Sequence, residues 1–468
     1  MLSMNMQTVK YNIWFFLFEQ KEILFRSVIV RWLFLTVTLI RYWCYIIFSK
    51  DYYAALSALL RYERDISGLS GPENIAPLYT QIFYSFIQTH IIKSPKNLVL
   101  YSYVQSKEAK HTIKVFQGFG IEYLLRMKYP KEIDDPGRQG DVLILKPYIN
   151  SKEKGVIFVQ YDEGVKRFAS IYDIDSLAKY YRLVIEPSTC GYQNAMFYLC
   201  LNLETEVVFE SQYKNDFDYM QDIGFNFIPI RLGAGDWVDP SLFNINNQAE
   251  KEYDLVMIAN WLKWKRHDLL FKTLLKIRSH VQRVALIGYP IEGRTLRDTK
   301  EECKKYGLLD RVDFYDRIPH EDVLKIIRKS KTGILLSKEE GANRGIYECF
   351  FSNVPVILTK QNRGVNRDHI NCFTGVLADD LDLQDAIVEM ISNFRKYNPR
   401  KWAFENTGYI NSTRKLNDIL KELALEKGEV WTQDIFFKHN SPHARYAKQE
   451  EQEKADVAFN HLKQFLRD

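Results

Sequence analysis

Cysteine is scarce in this chain. The six present (Cys44, Cys190, Cys200, Cys303, Cys349 and Cys372) form no CxxC pair and no zinc-finger spacing with His, which argues against a structural metal. Most lie in apolar runs, where a reduced, buried thiol is the default, so a reducing, cytosolic compartment is expected. A strong charge of either sign is also missing. Sixty-four basic residues face 59 acidic ones, for a net +5, which does not argue for nucleic acid and tolerates an anionic membrane surface or a diphosphate ligand. There is no internal repeat and no low-complexity block. A dinucleotide fingerprint is absent too, because the strand ending at Gly288 is followed only by Gly293. The nine histidines take no assignable role; His111 and His267 are merely near candidate loops.

A long uninterrupted apolar run is likewise lacking. Residues 27–48 are long enough to span a bilayer, but Arg31 and Arg41 interrupt them, leaving nine residues between. A central Arg costs roughly 2.5–3.5 kcal/mol on insertion scales. The apolar region starts late and no small-residue cleavage site follows it, which argues against a signal peptide. A buried helix, a membrane-surface helix and a true span remain open; Trp32 and Trp43 suit an interfacial position.

What is present is the composition of a globular protein: 468 residues, 46% hydrophobic and 26% charged, enough for two or three domains with a sizeable core. Aromatics reach 14%, which core filling explains most simply, although sugar-stacking and membrane-peripheral proteins show the same excess.

Along the chain, 52–60 and 76–92 read as helices, with a loop at 67–72. Short apolar runs at 97–101, 141–145, 155–160, 182–186, 206–210 and 225–230 read as strands. A helix is expected over 165–181, and others between the later strands. Alternation of this kind predicts a parallel sheet with right-handed crossovers. Asp173-Ile-Asp175 has the letters of a metal-binding pair, but its helical context argues against that role. The second half repeats the pattern, with strands at 253–258, 283–288, 312–315, 332–336, 354–358 and 375–377, and helices near 321–329, 383–395 and 412–426. Residues 427–468 show no apolar period until a charged helix near the end, as a loosely packed tail would.

The chain is organised around Ser337-Lys-Glu-Glu340-Gly341-Ala-Asn343-Arg344-Gly345-Ile-Tyr-Glu348, set between two buried strands. In an open α/β sheet, ligands bind beyond the carboxyl end of a strand, at a helix N-terminus. Free amides from Asn343 to Gly345 could hold a phosphate there, with Arg344 adding charge. Glu340 and Glu348, with seven residues between them, make electrostatic sense beside a phosphate only if they face something neutral and hydroxylated. A sugar on one side and a ribose on the other would fit. A surface helix with two solvated glutamates is the plain alternative. A second cationic turn, Lys263-Trp-Lys265-Arg266-His267, opens a helix after the first strand of this half and also suits an anion.

With these motifs the sequence resembles the retaining GT-B glycosyltransferases of family 4, mainly over 253–377. The resemblance implies an α/β fold with two Rossmann-like domains facing across a cleft, plus the helical apolar N-terminal extension. The corresponding division is 1–95 for the extension, 96–245 for an acceptor domain, 246–425 for a nucleotide-sugar domain and 426–468 for a helical tail. Gly233-Ala-Gly-Asp236-Trp-Val-Asp239 resembles the family's crossover between domains. By resemblance, Glu340 lies by the donor sugar, the amides of Asn343, Arg344 and Gly345 hold the diphosphate, and Glu348 binds the ribose. Lys265 holds the family's Lys position at the leaving diphosphate. Asn260 stands where the family has Arg, so Lys263 or Arg266 would substitute. The family's usual aromatic and Gly are replaced by Ala342 and Asn343. On the acceptor side, Glu186, Ser188, Gly191 and Tyr192 form the candidate loop, a simple strand-to-helix turn being the alternative.

The implied activity is glycosyl transfer from a nucleotide sugar to a glycan or lipid-linked acceptor. Anomeric configuration is expected to be retained, with no cofactor, no metal and no nucleic-acid partner. A GT-B nucleotide-sugar epimerase, or a membrane-peripheral binding protein with a degenerate donor site, would be the other readings. Ala342, Asn343 and Asn260 favour the latter.

Overall fold

Val-, Ile- and Leu-rich runs of four to six residues form the strands, as buried parallel sheets require. In the computed structural model, residues 24, 27–49, 51–67, 142–188, 191–201, 203–243, 250–291, 294–341, 343–440 and 444–466 are described. The expected helix at 76–92, strand at 97–101 and loop at 130–140 lie outside them. The chain divides into two compact units. One comprises 1–230, 424–433 and 449–468; the other comprises 231–423 and 434–448. The crossover segment from Arg231 onward therefore belongs to the second unit, whereas the expected boundary was near 245.

The first unit opens with α1 (Val28–Cys44), capped by Ser27 and continued as a π-helix over Tyr45–Ser49, and α2 (Tyr52–Ser67). Only a narrow seam of α1 is covered, through Leu35 and Tyr42, while Ala55, Leu56, Leu59 and Leu60 of α2 are buried. Tyr62 Oη donates to the Arg31 carbonyl at 2.9 Å. Ile29, Trp32, Leu33, Val37, Ile40, Trp43, Ile47 and Phe48 are exposed. Residues 27–48 are thus not a buried core helix.

Five strands follow: β1 (Val142–Lys146), β2 (Gly155–Gln160), β3 (Tyr181–Glu186), β4 (Val207–Glu210) and β5 (Phe227–Ile230), lying in that order in one sheet. The sheet is parallel except that β1 runs antiparallel to β2. The eight residues between those two strands are too few for a crossover helix, so the chain can only turn back. The helix expected over 165–181 starts earlier and stops sooner, as α3 (Tyr161–Ile171) and a single turn over Ile174–Leu177. Asp173 is the N-cap of that turn, accepting from Ser176 Oγ at 2.6 Å. Tyr181 belongs to the strand because its ring fills the space beside Gly155, where a Cβ would lie 2.4 Å from Tyr181 Cε1. After β3 the expected helix is two 3-10 segments, Gly191–Gln193 and Ala195–Cys200; α4 (Lys214–Ile223) precedes β5.

The C-terminal segments are integral to this unit. Arg182, fully buried, is held bidentately by Glu429 at 2.8 and 2.9 Å and by Glu206 at 3.0 Å. Lys146 Nζ pairs with Glu153 at 2.6 Å and sits 3.5 Å from the Trp431 ring centroid, and burial lowers its pKa. Ala455, Phe459 and Leu462 are buried, and His461 Nδ1 meets Tyr181 Oη at 2.8 Å. The loosely packed tail is not observed, because the partners of Glu429 and His461 lie 247 and 280 residues away in sequence, beyond the reach of a local pattern.

The second unit is built on β6 (Tyr253–Ile258), α5 (His267–Lys276), β7 (Val284–Gly288), α6 (Leu296–Lys305), β8 (Val312–Asp316), α7 (His320–Arg328), β9 (Ser330–Leu335), α8 (Arg344–Phe351), β10 (Val356–Thr359), β11 (Gly375–Ala378) and α9 (Leu383–Asn393). These are followed by α10 (Pro399–Asn406), α11 (Tyr409–Glu426, its last turn within the first unit) and a small hairpin, β12 (Lys438–Asn440) with β13 (Ala444–Tyr446). The six-stranded sheet runs β11-β10-β9-β6-β7-β8 and is wholly parallel. Side chains alternate across it. Val256 of β6 enters the cluster with Phe350, Phe351 and Ile327, whereas its neighbours Leu255 and Met257 enter the one with Leu270, Phe271 and Ile387. The strand order reverses between β6 and β9. A doubly wound sheet opens a crevice at such a point.

Candidate functional site

Two loops leave that switch point. After β6 comes Ala259-Asn260-Trp261-Leu262, then a 3-10 turn at Lys263–Lys265 and the start of α5. Trp261 is fully buried, and its Nε1 donates to Asp316 at 2.6 Å, which anchors the loop. Arg266 adopts a left-handed conformation (φ 62°) and thereby turns the chain into α5. The turn buries Lys265, and the Lys265 Nζ reaches Glu340 Oε1 at 2.6 Å across the switch point.

Glu340 sits in the loop after β9, and that loop is itself clamped. Its amide donates to the Arg363 carbonyl at 2.8 Å, the Arg363 amide donates to the Lys338 carbonyl at 2.7 Å, and Asn362 Nδ2 donates to the Ser337 carbonyl at 2.7 Å. Gly364, at φ +112°, lies so close that a Cβ would fall 1.6 Å from the Glu340 carbonyl oxygen. The buried Ser337 Oγ donates to the same Glu340 oxygen that Lys265 holds.

Asn343 is the N-cap of α8, its Oδ1 accepting from the Ile346 amide at 3.3 Å. Gly345 packs on the end of β6, where a Cβ would meet Asn343 Oδ1 at 3.1 Å and Ile258 Cβ at 3.2 Å. Arg344, at the first helical position, forms no ion pair among the described residues. Glu348 is one turn further and buried, with Oε1 3.0 Å from His320 Nε2 at the start of α7. Burial opposes its ionisation, but the His320 hydrogen bond and the Arg344 charge outweigh that and hold its pKa below the usual value.

The other cations of the first loop differ in their surroundings. Both terminal nitrogens of Arg266 hold Asp380, and Nη1 also reaches the Leu336 carbonyl at 3.3 Å. Lys263 is half-buried. His267 is buried against the Trp261 ring, and neither ring nitrogen has a hydrogen bond among the described residues. Burial, with Arg294 and Lys265 adding to it, pushes its pKa down to about 3.

In the first unit, the carboxyl edge of the sheet carries Gln160, Glu186 and Glu210 in register on β2, β3 and β4, all buried. Gln160 Nε2 donates to Glu186 Oε1 at 2.6 Å. Ser188 Oγ and Asn194 Nδ2 both donate to Asp162, at 3.0 and 2.6 Å. Gly191, at φ +51°, abuts Asp216, and Tyr192 stacks on Tyr219 with centroids 3.7 Å apart. No group of three or more His, Cys, Asp or Glu among the described residues could hold a metal ion.

Residues 238–409 match the family model for glycosyl transferases, group 1. The chain resembles that family over a stretch that contains Lys265, Glu340 and Glu348. Its solved structural neighbours include Alr3699/HepE of Anabaena in complex with UDP-glucose, at 15% identity over 57% of this chain and 78% of that one, with a TM-score of 0.45. Sucrose-phosphate synthase from Thermosynechococcus elongatus is similar at 15% identity over 58% and 74%, with a TM-score of 0.45. A glycosyltransferase from Rickettsia africae is similar at 18% identity over 52% and 70%, with a TM-score of 0.42. No curated protein matches the sequence.

Within the glycosyltransferase-like segment, the structure brings Lys265 onto Glu340 and sets Asn343, Arg344, Gly345 and Glu348 on the one helix that starts beside them. Asn260 turns its Oδ1 to the Leu262 amide at 3.2 Å. Sequence reasoning missed Ser337, His320 and Asp380, and in the first unit Gln160, Asp162, Asn194 and Glu210. Gln160 and Glu210 had a readable signal, a polar residue closing an otherwise apolar strand. Ser337 lies only three residues from its partner Glu340; the remaining ones are defined by partners distant in sequence.

Proposed function

We propose that this protein transfers a glycosyl group from a nucleoside-diphosphate sugar to a hydroxyl of a glycan or lipid-linked acceptor, with retention at the anomeric carbon and without a metal. The observation that carries this reading is the Lys265–Glu340 pair at the switch point, beside the start of α8 and within two turns of the buried Glu348. In this reading the Asn343 to Gly345 amides and the Arg344 and Lys265 charges face the diphosphate, where negative charge grows as the bond breaks. Glu340 accepts hydrogen bonds from the sugar hydroxyls, and Glu348 from the ribose diol. The bond from the anomeric carbon to the diphosphate oxygen breaks, and the oxygen keeps the electron pair. The acceptor oxygen bonds to the same face, and its proton passes to the departing diphosphate. The carboxylate-lined edge at Glu186 supports a neutral, hydroxylated acceptor.

We also propose that the protein works against a lipid surface in a reducing, cytosolic setting. The helix Ile29–Ser49 is long and apolar enough to cross a membrane, and most of its apolar side chains, Leu35 and Tyr42 apart, are exposed. Cys44, Cys200, Cys303, Cys349 and Cys372 are free thiols.

Incubation with UDP-, GDP- and ADP-sugars and a mixture of acceptor glycans, with proton NMR of the product linkage, tests the transfer. A new glycosidic bond with the donor's anomeric configuration is expected. An inverted product refutes retention, and interconversion of free sugar nucleotides without an acceptor would point to an epimerase instead.

A further inference from the structure

The pairing of Lys265 with Glu340 leaves the cation of the proposed donor site already neutralised. The two side chains are only 10% and 7% exposed, and Ser337 Oγ donates to the same carboxylate oxygen. Glu340 Oε2 has no hydrogen-bond partner among the described residues. We propose that Glu340 is a specificity-determining latch, which keeps Lys265 occupied unless the incoming diphosphate carries a sugar. The inference rests on the reading of this site as a donor site.

The physical argument starts from competition for one ammonium. A bare nucleoside diphosphate brings negative charge next to Glu340 and must take Lys265 from it, leaving a mostly buried carboxylate short of a partner. A sugar on that diphosphate brings hydroxyl donors, which satisfy the carboxylate and let Lys265 turn to the phosphates. Glu340 cannot follow, because its backbone is tied to Arg363 and crowded by Gly364. Lys265, on a flexible four-carbon stem, is the part that moves. Once the sugar has been transferred, Glu340 reclaims Lys265 and the leaving nucleotide loses its cation. The latch thus favours substrate over product in the same site.

Titration calorimetry of the full chain with UDP, GDP, ADP and the matching sugar nucleotides tests this, comparing wild type, Glu340→Gln and Lys265→Met. Glu340→Gln is expected to bind the preferred nucleoside diphosphate about tenfold tighter, ~1.4 kcal/mol, and to lose its preference for the sugar-bearing form. Lys265→Met is expected to bind it at least about tenfold more weakly. If Lys265→Met weakens binding while Glu340→Gln binds no tighter than wild type, the latch is wrong and the donor site stands. If Lys265→Met binds like wild type, or no nucleotide binds at all, the donor-site reading itself fails. Should Glu340→Gln not fold, Ser337→Ala serves. Loss of the Ser337 donor makes Glu340 depend more on Lys265, so nucleoside diphosphate should bind several-fold more weakly; unchanged or tighter binding overturns the latch.

Discussion

Gly364 lies directly against the carbonyl of Glu340, leaving no room for a side chain: a Cβ there would fall 1.6 Å from the carbonyl oxygen, on a backbone at φ +112°. Gly364→Ala should therefore strain the backbone by roughly 1–3 kcal/mol or more and displace Glu340. Thermal unfolding should show the loss, and nucleotide-sugar turnover should fall further than Tm alone explains. Full activity in this variant would mean that the loop does not need its clamp.

His320 and Glu348 form the second relationship that donor binding should feel. Replacement of His320 by Ala removes the hydrogen bond that helps keep Glu348 ionised despite its burial. Donor KM should rise several-fold with kcat nearly unchanged, as expected for a binding contact that is uniform along the reaction. The acid limb of the KM profile reports protonation of Glu348, and it should move to higher pH in the variant. The preference for ribose over 2′-deoxyribose donors should shrink with it. An unchanged acid limb would separate Glu348 from donor binding.

His267 gives a stability prediction with a definite sign. Its pKa, pushed down to about 3 by burial, lies below the unfolded value of roughly 6.5, so the folded protein favours the neutral ring. Its contribution is complete above about pH 6.5 and declines as pH falls from there toward 3. Urea midpoints should drop over that interval in the wild type and drop less in His267→Phe, which keeps a ring beside Trp261. Parallel curves would assign the acid loss to other groups.

The ion pair between Arg182 and Glu429 tests whether the C-terminal segment is structural. Glu429→Ala leaves the buried guanidinium with Glu206 alone and should cost on the order of 3 kcal/mol in urea denaturation. A loss below about 0.5 kcal/mol, typical of a surface substitution, would make the segment dispensable.

Much of this architecture was readable from the chain. The strand from Tyr253 to Ile258 falls where its apolar run does, and Glu340 and Glu348 stand out because two carboxylates bracket a small-residue loop. The antiparallel β1–β2 pair was missed because strand pattern says nothing of direction; the eight-residue turn does. The helix expected through 181 overran the start of β3 because the ring of Tyr181 reads equally well in a helix or a strand, and only its packing on Gly155 decides. Arg182 with Glu429, and Lys265 with Glu340, are set by side chains that meet only once the chain is folded. No local spacing encodes them.

The central claim is that the switch-point site activates a nucleoside-diphosphate sugar. It is tested most directly by nucleotide release from a panel of such sugars, with wild type beside Lys265→Ala and Glu348→Ala. One donor should release its nucleoside diphosphate slowly in the wild type, and the release should be lost in both variants. Release that persists in Lys265→Ala and Glu348→Ala, or none from any donor with the wild type, would contradict the account.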